Sequence, residues 1–325
     1  MVFERVDEIY VEQAVELAFM EYQEECNKVT ALPDSNFKTE LSALLTDLFG
    51  GKHGVVAKEG GNLVGYMAFY SPIDGFFGNC KGAWSPLGGC AFSSHNREKV
   101  TSRVLSAATE LLVKEEGVTS FAMTQYANDA EVAKSLVLNG FGIRCTDAIM
   151  RLQGVTASEK INENLTIKEL KKEEKSLIHE LRKGLTRHLL QSPIYFPTNL
   201  DDYNDWFLED DIRVFVACDH DEIIGFMSIT DESETFISQA KGVINICGAF
   251  VKEEYRGKEV ATDLLNYVCT TCKKEGAEYL AVDCETLNPN ALRFWGKYFK
   301  SYTYSYHRRI DERVIGYESY LEKMW

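Results

Sequence analysis

Several things this sequence lacks narrow what it can be. It has no stretch approaching the ~18 uninterrupted apolar residues of a membrane-spanning helix, and Met1-Val2-Phe3-Glu4-Arg5-Val6-Asp7-Glu8 is acidic where a secretory leader would be apolar. It has no G-x-x-x-x-G-K-[ST], no H-E-x-x-H and no G-x-S-x-G, so nucleotide-loop, zincin and serine-hydrolase chemistries find no support. It also lacks a clustered basic face: 35 basic residues stand against 50 acidic ones, a formal charge of −15, and the excess is shared by both halves. Phosphate backbones are repelled by such a field, whereas a cationic amine is steered in. No nucleic-acid or membrane partner is expected, and the expected location is cytoplasmic.

A disulfide framework is missing too. The nine cysteines are odd in number and scattered. Cys269 and Cys272 have C-x-x-C spacing but lie mid-helix with no second pair and no nearby histidine, so helix packing is expected of them and no metal is assigned.

What is present is a repeat. The 325 residues are about twice a domain of ~150, and the 45% apolar content suffices for two cores. The first half reads as helices over 12–25 and 38–49, a hairpin over 54–70, a long Gly- and Pro-containing stretch to Phe92, a helix over 97–116, a strand over 120–124 and a helix over 129–139. The second half repeats the order: a strand near 166–170, a helix over 172–190, a hairpin over 212–230, a buried strand over 243–251, a helix over 261–275, a strand over 279–283, a helix over 290–298 and an alternating strand over 302–309. A period of half the chain indicates duplication. Polar residues 154–164 read as the linker, giving domains over 1–153 and 165–325.

The most informative segment is Gly248-Ala249-Phe250-Val251-Lys252-Glu253-Glu254-Tyr255-Arg256-Gly257-Lys258-Glu259-Val260-Ala261-Thr262, an apolar strand entering a short basic loop that opens a helix. Unpaired N–H groups at such a helix start, with the positive end of the dipole, bind a pyrophosphate. Downstream stands Asn288-Pro289-Asn290-Ala291-Leu292-Arg293-Phe294-Trp295.

These two motifs, in this order and at this separation, resemble the GNAT acetyltransferase superfamily, whose loop pattern Arg/Gln-x-x-Gly-x-Gly/Ala is matched by Arg256 and Ala261 and whose later helix carries Asn-x-x-Ala-x-x-Leu/Phe-Tyr. The resemblance implies an α/β fold of two tandem GNAT-like domains, each a mixed, mostly antiparallel sheet flanked by helices. It implies acetyl-CoA as co-substrate, a small-molecule primary amine as acceptor, and a monomer or homodimer; a non-catalytic acyl-CoA-binding or sensing protein is the alternative. The cofactor-binding set it implies is Ala249, Phe250, Val251, Arg256, Gly257, Lys258, Glu259, Val260, Ala261, Thr262, Asn288, Ala291, Phe294 and Trp295. Main-chain groups of Phe250 and Val251 would meet pantetheine and the developing oxyanion.

Two positions depart from the pattern. Glu259 replaces the usual Gly, and a carboxylate ~6 Å from a phosphate is repelled by about 1 to 3 kcal/mol. Trp295 replaces the tyrosine that protonates the leaving thiolate, and indole has no acidic hydroxyl. A thiol of pKa ~8.5 leaves tolerably unaided, whereas an amine of pKa ~10 must lose a proton. Tyr298 and Tyr304 are candidate substitute acids, with Tyr302 and Tyr306 beside them. Glu285 is the candidate base, with Asp283 beside it on the fifth strand and Glu232 and Glu234 after the third as further carboxylates near the splay. Tyr195, Phe196, Tyr203, Trp206 and Phe207 cluster where the family builds its acceptor pocket, core packing being the competing reading.

In the first half, Arg97 stands at the arginine position of a worn loop with no following glycine, Leu136 stands where the tyrosine would be, and His95 has no partner in sequence. That copy reads as a structural or substrate-shaping domain.

Overall fold

The computed structural model describes residues 1–153, 162, 164–196, 209 and 211–316. The first copy runs β1 (Val2–Arg5), α1 (Val11–Lys28), α2 (Lys38–Gly51), β2 (Gly54–Glu59), β3 (Asn62–Ala68), β4 (Ile73–Asp74), β5 (Lys81–Ser85), β6 (Cys90–Phe92), α3 (Arg97–Glu116), β7 (Ser120–Tyr126), α4 (Ala130–Leu138) and β8 (Gly142–Arg151). The second runs β9 (Leu165–Glu169), α5 (His179–Leu189), β10 (Arg213–Asp219), β11 (Glu222–Thr230), β12 (Val243–Val251), α6 (Val260–Lys274), β13 (Tyr279–Glu285), α7 (Pro289–Trp295), β14 (Lys300–Ser301) and β15 (Thr303–Arg309). Among the described residues no helix is long and apolar enough to cross a membrane.

The chain divides into two compact units, one of residues 1–30, 34–146 and 301–325, the other of 31–33 and 147–300. This differs from the expected boundary at 154–164, most of which lies outside the described residues. The alternating strand β15 belongs to the first unit, where all seven of its residues pair antiparallel with β7, from Thr303 opposite Tyr126 to Arg309 opposite Ser120. The second half of β8 belongs to the second unit and borders β13, with Leu152 N–H donating to Glu278 C=O at 2.9 Å just beyond it. Alternation tells which face of a strand is buried but not which sheet receives it, so sequence order suggested the wrong home for β15.

In the second unit the sheet order is β9-β10-β11-β12-β13, antiparallel except for the parallel β12–β13 pair. It buries an apolar face on each side. One carries Leu264, Leu265, Val268, Cys269 and Cys272 of α6 with Trp295 of α7, and the other carries Leu181 and Leu185 of α5 with Val214, Val216 and Phe226. Full burial of each such side chain is worth about 1.5 to 3 kcal/mol, which makes the i, i+4 stripe of α6 the anchor of its face. The thiols of Cys269 and Cys272 lie within that stripe, and desolvation pushes them up to about 12 and about 11. They pack as small apolar side chains, as their mid-helix position suggested.

The first unit repeats the hairpin β2–β3, but the counterpart of β12 is cut in two. β5 pairs parallel with β7, and β6 pairs antiparallel with β3, with Pro86-Leu87-Gly88-Gly89 between them. The sequence reading missed β5 because its five residues, Lys81 to Ser85, sit among glycines and prolines that carry no strand pattern.

The opening left by that break is filled from α1. Glu21 is buried, accepts the Phe92 N–H at 2.7 Å, and is pushed up to about 8 by desolvation, which outweighs the attraction of Arg97. Arg97 is buried too and donates at 2.7 Å to both Glu24 and Asp129. Because the folded state holds the Glu21 proton between about 4.5 and about 8 while the unfolded chain releases it, this group's contribution to stability falls as pH rises through that window. A Glu21→Gln chain therefore gains on the wild type in urea midpoint from pH 5 to pH 8, and parallel pH curves for the two would show that Glu21 is ionised in the fold.

Candidate active site

The second unit's site begins where two strands part. β12 and β13 pair only from Val243 opposite Tyr279 to Ile246 opposite Val282, although β12 runs on to Val251 and β13 to Glu285. On its other edge β12 stays paired to β11, but Ile229 faces Ile246 and Ser228 faces Gly248, so Cys247 is an extra, bulged residue. A bulge bends its strand and strengthens the local twist, which turns Cys247–Val251 away from β13 and leaves strand-edge backbone groups without a strand partner.

Behind the bulge lies a buried arginine. Arg182 on α5 is fully buried, with its guanidinium 5.9 Å from the Phe226 ring centroid. Gly248 makes room for it, since a Cβ there would stand 3.1 Å from Arg182 Nη1 and 2.9 Å from Ser228 Oγ. Gly184, in the middle of α5, is explained similarly: a Cβ would meet the Phe250 ring at 2.8 Å. A helix interior gives up roughly 1 kcal/mol for Gly in place of Ala, and here that allows Phe250 to close on the helix.

The gap opens into a cavity of about 460 Å³. Of the residues the family resemblance implied, Ala249, Phe250, Val251, Arg256, Gly257, Glu259, Val260, Ala261, Thr262, Asn288, Ala291, Phe294 and Trp295 line it. Lys258 does not; its ammonium lies 5.1 Å from the Tyr255 ring centroid, and the Tyr255 hydroxyl donates to Asp219 at 3.2 Å. At one end the first helical bond of α6 runs from Asp263 N–H to Glu259 C=O, leaving the N–H groups of Val260, Ala261 and Thr262 without intrahelical acceptors. Arg256 donates from Nε to Val251 C=O at 3.1 Å and lies over Phe250, while Arg293 and Lys297 add positive charge. Three cations and a helix start suit a pyrophosphate.

Glu259 sits just before α6 at φ +59°, a left-handed conformation that explains why the family pattern places Gly there. Its carboxylate accepts from Thr262 Oγ1 at 2.9 Å. Asn288 caps α7 by accepting from Ala291 N–H at 3.3 Å. Trp295 is buried against Phe299 and Phe294, a packing role.

The candidate proton-transfer residues separate. Tyr298 packs on Phe294, and its hydroxyl meets Thr262 Oγ1 at 3.3 Å, at the α6 end of the cavity. Tyr304 lies on β15 in the first unit, packed against that unit's core, as does the buried Tyr306. Glu285 ends β13 and does not line the cavity. Asp283 and Glu234 keep open surface yet lie deep enough that desolvation raises both carboxyls, and Asp283 raises Glu234 further. Of the aromatic cluster, Tyr195 is exposed and Phe196 half-buried, while Tyr203, Trp206 and Phe207 lie outside the described residues.

Sequence reading missed His188, Leu185 and Phe226, which line the cavity from α5 and β11, and gave no role to Lys297. No local pattern marks them, because α5 reaches the motif residues only through packing on β12.

The worn copy also needs one correction. Asn96, at φ +56°, is the residue before α3 as Glu259 is before α6, so Arg97 is the first residue of its helix and matches Val260 rather than Arg256. The position of Arg256 is held by Ser93. Phe92, opposite Gly65, corresponds to Val251, opposite Gly225, and its N–H is already taken by Glu21.

Comparison with known proteins agrees with this geometry. Residues 178–299 match the model of the acetyltransferase (GNAT) family. That match lies within the second unit, and the chain as a whole has the fold of a tandem GNAT protein. It is similar to a GCN5-related N-acetyltransferase from Sphaerobacter thermophilus at 12% identity and TM-score 0.62, over 95% of each chain. It is also similar, at 12% identity and TM-score 0.52, to a tandem GNAT protein from the clavulanic acid biosynthesis pathway, over 95% of this chain and 98% of that one. A GCN5-related glucosamine N-acetyltransferase region of a fungal multi-domain GH3 β-N-acetylglucosaminidase aligns with 94% of this chain at 17% identity and TM-score 0.54, and this chain spans 38% of it. Curated protein sequences give no match.

Replacing Glu259 by Gly relieves about 1 kcal/mol of left-handed strain and removes a carboxylate from the anion site. The expected result is an unchanged or higher melting temperature and acetyl-CoA binding tighter by about three- to tenfold. Weaker binding in a calorimetric titration would mean that the Glu259–Thr262 contact shapes the loop.

Proposed function

We propose that the second unit transfers the acetyl group of acetyl-CoA to a primary amine on a small molecule. The parting of β12 from β13, which joins an anion-binding helix start to an open strand edge in one cavity, is the observation that carries this reading. The pyrophosphate would meet the N–H groups of Val260, Ala261 and Thr262 with Arg256, Arg293 and Lys297 beside it. Pantetheine would run along Ala249–Val251 in place of a strand partner. The amine nitrogen attacks the thioester carbonyl, a C–N bond forms, the C–S bond breaks, and CoA leaves as its thiol. The chain's charge of −15 favours a cationic acceptor. The nine free cysteines fit a reducing setting such as the cytoplasm.

The first unit is proposed to bind no acetyl-CoA, since Glu21 holds the N–H that the cofactor would need and Arg97 is committed to Glu24 and Asp129. Calorimetry is expected to give one acetyl-CoA per chain, and Arg256→Ala is expected to weaken binding about 10- to 100-fold, the loss of a charge-assisted contact. Thiol release is then followed against a panel of primary amines that includes polyamines and an amino sugar. Two equivalents bound would reinstate the first copy. Binding without thiol release for any amine would favour an acyl-CoA sensor, the reading that Trp295 in place of tyrosine suggests.

A further inference from the structure

The cavity is lined from both faces of the second unit's sheet. Met227, Ala249, Val251, Val260, Leu264 and Trp295 belong to the core or its fringe on the α6 and α7 side, whereas Leu185, Phe226 and Phe250 belong to the α5 side. It therefore passes through the gap between β12 and β13. The α6 start and its cations mark one end. At the α5 face the lining contains a titratable side chain that the sequence reading left without a role, His188.

Its hydrogen bonding fixes its tautomer. A backbone N–H can only donate, so the Asn288 side-chain atom that meets Ala291 N–H at 3.3 Å must be the amide oxygen. That same Oδ1 lies 3.4 Å from His188 Nε2, and because it can only accept, Nε2 must carry the hydrogen. In the neutral ring Nδ1 is then the nitrogen with the free lone pair. The other titratable groups of the lining are poorly suited to accept a proton there. Arg256, Arg293 and Lys297 are cations, the Tyr255 hydroxyl is engaged with Asp219 and raised above its ordinary pKa by desolvation first, and Glu259 stands at the start of α6.

We infer that His188 is the general base of the reaction and that Asn288 is the residue that positions it. This rests on the acetyl-transfer reading. As the amine nitrogen attacks, its pair forms the C–N bond and the carbonyl pair moves onto oxygen. Nδ1 of His188 takes the proton that the nitrogen loses. When the C–S bond breaks, the sulfur leaves with its electron pair and the imidazolium returns the proton to it, so one residue serves both transfers. The substitution of Trp295 for a tyrosine acid then leaves no step without a proton donor.

The test compares wild type, His188→Gln and His188→Ala, measuring acetyl-CoA affinity by calorimetry and turnover with the best amine of the panel, with and without added imidazole. Both variants are expected to bind acetyl-CoA within about twofold of wild type and to lose about 10²-fold or more in kcat. Added imidazole restores part of the rate to the Ala variant and none to the Gln variant, whose side chain still fills the space. Turnover within threefold of wild type in either variant overturns the assignment while leaving acetyl transfer standing, as does a loss of affinity that matches the loss of rate with no imidazole rescue. Wild type that binds acetyl-CoA but transfers to no amine overturns both.

Discussion

One extra residue in one strand governs the site. Cys247 has no opposite number on β11, and from that point β12 and β13 stop sharing hydrogen bonds. A parallel pair normally continues until one strand ends, and an unpaired stretch of buried backbone is costly unless something else satisfies it. The second unit keeps β12 whole and leaves its edge facing a cavity, so the groups there are available to an extended ligand. Gly248 and Gly184 belong to the same arrangement, one admitting the buried Arg182 to the bulge and the other admitting Phe250 to α5.

The first unit meets the same constraint and resolves it within itself. Its strand is broken outright into β5 and β6, and the Glu21 carboxyl from α1 reaches the N–H of Phe92 that the break exposes. Burial keeps that carboxyl protonated up to about pH 8 despite the nearby Arg97, whose own ion pairs are with Glu24 and Asp129. The two copies thus differ less in fold than in where an arginine enters the loop. Four residues before the helix, as Arg256 is, the guanidinium is exposed and lines an open cavity; at the first helical position, as Arg97 is, it is buried and ties the loop to its neighbours.

Much of the second unit was legible because its signals are local. A nine-residue strand that is apolar or small except at Asn245, a basic loop, a helix start and an Asn-Pro helix cap lie within about fifty residues, and each has its own physical cause. Thirteen of the fourteen implied residues line one cavity, and the exception, Lys258, turns its ammonium to Tyr255. What was not legible depends on long-range pairing. β15 reads as an alternating strand wherever it docks, so its membership of the first unit, and with it the removal of Tyr304 from the second, could not be seen. His188 and Asn288 are a hundred positions apart and meet only because α5 packs on β12. The misplacement of Arg97 has a different origin: the loop pattern was counted from the arginine, whereas the helix start sets the register.

Both copies place a left-handed residue immediately before the helix, Asn96 at φ +56° and Glu259 at φ +59°. That recurrence shows the turn to be a requirement of the fold, since the first copy keeps it with its arginine buried and its cleft filled. Gly satisfies the requirement most cheaply and Asn next, because a short amide tolerates the left-handed region. Glu satisfies it least well, and its charge is of the wrong sign for an anion site. The hydroxyl of Thr262 holds that carboxylate at the helix start, where the dipole partly offsets its charge. The loop of the second copy therefore keeps its shape through an interaction with its own helix, and any anion that enters must compete with a carboxylate already seated there.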